Sequence, residues 1–129
     1  MAVAVTNSTF TALNTITTVT SNAATANTDG LAEVFTITPT KAGKNLLIVI
    51  GGTGSLADGN ISYSIAAGDL WASQAITGTV TKNTETMLEI DTSRVLQDVG
   101  TILLTLTPAA TDKLLTDHAA YVKVVEMLA

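Results

Sequence analysis

His118 is the only histidine in this 129-residue chain, and there is no cysteine. Imidazole chemistry would therefore run through one side chain. A Ser-His-Asp triad would have to use His118, yet no Gly-x-Ser-x-Gly elbow is present to carry the nucleophile. The residue follows Asp117 in a stretch read as a loop, where a solvated histidine is expected. One imidazole and no thiolate make a poor transition-metal ligand set. Glu85, Glu89 and Asp91 lie close in sequence, and Glu89 and Asp91, two apart, share a strand face. Paired carboxylates hydrolyse glycosides when one is buried beside an aromatic sugar platform. Aromatics are only 4% of the chain, so a solvated acidic face is expected instead.

The glycine-rich stretch from Gly51 to Gly59 follows a strand but lacks the Gly-Lys-Ser/Thr ending of a phosphate loop. It leads into another strand, so no helix N-terminus would meet an anion. Asp58-Gly59-Asn60 lacks the spacing of an EF-hand. Two matches to the glycosylation sequon, at Asn7 and Asn60, carry no weight without a secretory leader. Trp71 is the one tryptophan, beside a turn, where it caps the core or marks an interface. The expectation is no catalytic residue, no cofactor, no metal site and no enzymatic activity.

The elements around these residues are strands. Leu46 to Ile50 is an unbroken apolar run too short for a helix, with three β-branched residues. It is read as a central strand, with Leu46, Ile48 and Ile50 on one core face and Leu47 and Val49 packed on the other. Residues 31–38 form a strand ended by Pro39. Ile61, Tyr63 and Ile65 alternate with serines, as in a half-buried strand. Ile76, Gly78 and Val80 mark another, with Gly78 read as a bulge. Further strands are expected over 87–91 and 102–106, with one helical turn over 92–96; residues 121–128 could be helix or strand, and Val122, Val124 and Val125 favour strand. Pro, Gly and Asn punctuate the chain between them. The fold class is thus all-β: one β-sandwich or jelly-roll-like domain of seven to eight short strands, with an extended N-terminal arm.

That arm, residues 1–30, is distinct from the 31–129 sandwich domain. It is rich in Thr, Asn, Ser and Ala, with a marginal strand over 15–20 and a polar linker over 21–30. It is read either as a loose tail with an edge strand or as an arm ordered by a neighbouring subunit. Val3, Val5, Phe10, Leu13, Ile16 and Val19 are its candidate interaction residues: too little apolar area to pack alone, more than a linker needs.

The formal charge of −5 argues against a nucleic-acid groove and against an anionic membrane surface. No stretch is as long as a membrane-spanning helix. Met1 to Thr6 has neither the basic region nor the apolar core of a secretory leader, so synthesis in the cytoplasm is expected, or a mature form whose leader was removed. Absent cysteine rules out a disulfide framework.

From Ala32 onward the order of features resembles the small capsid decoration proteins of tailed bacteriophages, also called cement or auxiliary capsid proteins. Val34-Phe-Thr-Ile-Thr-Pro39 leads into Lys44-Asn-Leu-Leu-Ile-Val-Ile50. Ile61-Ser-Tyr-Ser-Ile-Ala-Ala-Gly-Asp-Leu-Trp-Ala72 follows, then Met87-Leu-Glu-Ile-Asp-Thr-Ser-Arg-Val-Leu-Gln97 and Gly100-Thr-Ile-Leu-Leu-Thr-Leu106. The resemblance is one of pattern. It implies a β-sandwich on the outer capsid surface of the virion, a homo-oligomer with a trimer favoured, and the major capsid protein as partner. It brings no catalytic residues. The first thirty residues and the loop over 109–117 fit the pattern poorly. The competing readings are a tail, fibre or S-layer subunit and, behind it, a carbohydrate-binding module, which would need exposed aromatics.

Overall fold

The structure is a computed structural model that describes residues 2–10, 12–26, 28–40, 44–52, 59–69, 74–110, 113 and 115–127. Among the described residues ten strands and one helical turn follow in order. They are β1 (Ala2–Ala4), β2 (Ser8–Thr9), β3 (Asn22–Ala23), β4 (Glu33–Ile37), β5 (Asn45–Gly51), β6 (Ile61–Ile65), β7 (Ile76–Val80), β8 (Glu85–Asp91), α1 (Thr92–Val95), β9 (Ile102–Thr107) and β10 (Tyr121–Glu126). The fold is an all-β sandwich of two mixed sheets, as the alternation predicts. The first sheet runs β1-β4-β9-β6-β7. The second runs β2-β10-β5-β8, with β3 also paired to β10. Pairing is antiparallel except where β1 joins β4 and β2 joins β10.

Period-two patterning builds the core. Phe35 and Ile37 of β4, Ile61 and Ile65 of β6 and Ile102, Leu104 and Leu106 of β9 are buried from the first sheet. Leu46, Ile48 and Ile50 of β5 meet them from the second, with Val122 and Val124 of β10. Alternate side chains of a strand point to one face, so each strand delivers every second residue to the interior. All six strands expected over 31–106 are present, and residues 121–126 are strand. The predicted turn over 92–96 is α1, started by Asp91, whose Oδ1 accepts from the Ser93 N–H at 2.9 Å and from the Ser93 hydroxyl at 2.7 Å. These bonds, with Arg94 nearby, hold the Asp91 carboxyl below its ordinary pKa.

Four expectations are corrected. Leu47 and Val49 are not packed on a second core face; they lie half-buried on the outer surface of the second sheet. Gly78 is no bulge, because β6 and β7 keep regular register through the Tyr63–Gly78 pair. A side chain at Gly78 would run into the Tyr63 ring, so close cross-strand approach explains the glycine. Residues 15–20 form no strand. The fourth concerns the polar linker over 21–30, which contains β3, paired to β10; the edge-strand reading of residues 1–30 fits β1 and β2, which stand at the sheet edges of their own chain. The Trp71 reading and most of the glycine-rich stretch, residues 53–58, fall outside the described residues.

Besides the pairing of β1, β2 and β3, polar side chains fasten that segment. Glu33, fully buried on β4, accepts from the backbone N–H of Thr25 at 2.9 Å and of Ala26 at 2.8 Å, and from the Thr25 hydroxyl. Asn22 accepts from the Thr6 N–H at 2.9 Å and donates to the Val122 carbonyl at 3.0 Å. Glu126, buried on β10, accepts from the Thr40 N–H at 2.8 Å and the Thr9 hydroxyl at 3.3 Å. Ala24 and Ala26 join the core, and Val3 and Val5 pack against it. A buried carboxylate is tolerated when several donors replace its water.

Candidate interaction surface

The outer face of the second sheet combines an apolar centre with a charged rim. Cross-strand register places Met87 beside Val49 and Leu47 beside Val125. With Val19 these side chains line an open groove of about 450 Å³. Met87 is 69% exposed. At one end Lys123 lies 3.7 Å from the Glu85 carboxylate and 5.0 Å from the centroid of the Tyr121 ring. Burial, reinforced by neighbouring Glu85, raises the Tyr121 phenol pKa, so this hydroxyl stays protonated. The ring lies against Gly51, opposite it on β5, where a Cβ would collide with it. At the other end Asn45 donates to Glu89 at 2.9 Å. An apolar centre inside a polar rim is the anatomy of a protein contact surface.

Beside the groove stands a loop. Ser8 and Thr20 meet at its neck, where the Thr20 N–H donates to the Ser8 hydroxyl oxygen at 2.9 Å. Asn14 takes a left-handed backbone, φ 58°, which asparagine tolerates better than most residues. The Thr15 hydroxyl donates to the Ala12 carbonyl at 2.7 Å and closes the turn. Leu13 is 79% exposed and Ile16 fully so.

The six residues expected to mediate contacts are thus divided. Val3 and Val5 belong to the chain's own packing, and Phe10 is half-buried. Leu13, Ile16 and Val19 face outward. The groove residues of β5, β8 and β10 were not anticipated. Their signal was available in the continuous apolar run of β5, which supplies more apolar faces than the core uses.

Glu85, Glu89 and Asp91 are exposed on β8 as expected. His118 is not. It is 2% exposed, its Nε2 has no hydrogen-bond partner among the described residues, and burial lowers its pKa against the opposing pull of Asp117. The loop that carries it is sealed by the N-terminal segment: Ala24 N–H donates to the Ala120 carbonyl at 2.9 Å and the Thr116 hydroxyl to the Ala26 carbonyl at 3.3 Å. Asn60 uses its side chain to accept from the Lys82 N–H, and Asn7 donates to the Thr38 carbonyl. Among the described residues no group of three His, Asp or Glu side chains is placed to share a metal ion, and no helix is long and apolar enough to cross a membrane. No protein-family model matches the chain, and neither a curated protein nor a solved structure does.

Proposed function

We propose that this chain is a structural protein, a capsid decoration or cement protein that binds the outer surface of a phage capsid and stabilises contacts between major capsid subunits. The observation that carries this reading is the groove over β5, β8 and β10 with the loop beside it, outward apolar side chains rimmed by charge, which suit a subunit that assembles with other chains. A sheet presents such a surface without rearrangement, so little ordering entropy opposes binding. The pattern resemblance from Ala32 onward supports the same reading. The protein works as a homo-oligomer, with a trimer favoured, on the virion exterior.

Purified phage particles of the encoding virus test it. The chain is expected in DNA-filled heads at a fixed ratio to the major capsid protein, and to rebind heads stripped of it until saturation. Particles that carry it only on tails or fibres would favour the competing assembly reading. Heads that neither contain nor rebind it would overturn the proposal.

A further inference from the structure

We infer that the groove on the second sheet is the seat for the 12–20 loop of a second copy of this chain, with Leu13 and Ile16 as the inserted side chains. Loop and groove are each incomplete alone. Ile16 is fully exposed and Leu13 nearly so, yet the loop bearing them has a defined turn at Asn14 and a closed neck at Ser8 and Thr20. Apolar side chains held outward on a shaped loop behave as anchors for a complementary pocket. The groove is open and offers Leu47, Val49 and Met87, the last 69% exposed.

Charge selects the occupant. No ionisable side chain occurs before Asp29, whereas the whole chain carries −5. The groove rim holds two carboxylates, Glu85 paired with Lys123 and Glu89 bonded to Asn45. Most acidic surfaces of a second copy would be repelled there, but its uncharged loop would not. Val19 lines the groove of its own chain, so the loop rises from the groove's edge with its anchors beyond it. Because anchor and groove are different patches, the contact runs head to tail and closes as a ring, or is reciprocated as a two-fold pair. It stands whether or not the assembled protein binds a capsid.

The absence of cysteine makes the test clean. Ile16→Cys and Met87→Cys are made as separate variants and mixed under mild oxidation. The expected product is a disulfide-linked pair containing one copy of each, while the wild-type chain sediments as an oligomer. Ile16→Asp is expected to weaken self-association by about tenfold or more, since an aliphatic anchor is lost. Both positions are exposed, and unchanged thermal unfolding of monomeric material confirms that the variants fold. A wild-type chain that stays monomeric at tens of micromolar overturns the inference. So does an oligomer indifferent to Ile16→Asp. A chain carrying both cysteine substitutions that closes the disulfide within itself, at a rate independent of dilution, would place the loop over its own groove and overturn it too.

Discussion

Residues 22–26 and residues 12–19 are both without charge, and only the second stretch carries large apolar side chains, Leu13, Ile16 and Val19, yet it is the first that is locked down while the second stands out from the surface. The difference lies in what each meets. Residues 22–26 run past a buried carboxylate, the carbonyl of Val122 and the carbonyl of Ala120, and their amides and side chains are taken up one by one. Among the described residues, 12–19 meet no such groups beyond their own turn and neck. Order in a polar segment depends on complementary hydrogen-bonding groups waiting elsewhere in the fold, and much less on its own apolar content.

The contrast can be broken most strongly at Glu33. Glu33→Ala leaves the Thr25 and Ala26 amides and a hydroxyl without their acceptor in a buried site, and is expected to cost about 3 kcal/mol or more, measured from the urea unfolding midpoint. Glu33→Gln should cost less, since it keeps one acceptor oxygen. A midpoint unmoved by Glu33→Ala would mean that residues 22–26 are held by something else. A smaller effect is expected from acid. The native state disfavours the charged imidazole of His118, so the unfolded chain binds the proton more readily. Stability is then complete above the ordinary histidine pKa, about 6.5, and declines as pH falls below it, before most carboxylates titrate near pH 4. The readout is amide exchange at Ala24, whose N–H is bonded to Ala120 two residues from the imidazole. Protection should drop between about pH 6.5 and 5, and His118→Gln should flatten that slope. An equal slope in the variant assigns the acid sensitivity to other groups. The smallest effect belongs to the protruding loop. Ile16→Ser should change monomer stability by no more than about 0.5 kcal/mol. A loss beyond 1 kcal/mol, approximately twice that bound, would show that the loop packs on its own domain.

Much of the sandwich can be read from residue order because its strands are five to seven residues long and alternate cleanly, as Ile61, Tyr63 and Ile65 do. β1, β2 and β3 are two or three residues long, and so short a run has no period to detect. Their partners are far away in sequence: Ser8 pairs with Val125, and Asn22 with Val122. Nothing local marks Asn22 or Glu33 as the residues that fasten them. His118 was misread for the same reason, since the groups that bury it come from the opposite end of the chain. The outer groove was half legible. An apolar β5 announces two apolar faces, but which one the second sheet leaves uncovered depends on topology.

The position of β10 bears on how the chain is made. β1, β4, β6, β7 and β9 all precede residue 108, so the first sheet has its full set of strands before β10 emerges. The second does not, because β10 lies between β5 on one side and β2 and β3 on the other. Until Tyr121–Glu126 leaves the ribosome, β5 has an unpaired edge and apolar side chains on both faces, and the two short N-terminal strands have no ladder to join. A nascent chain in that condition is the most aggregation-prone species this protein passes through. At roughly 5–20 residues per second the interval is brief in an uninterrupted ribosome. The interval before β10 emerges is the window in which a chaperone has something to bind.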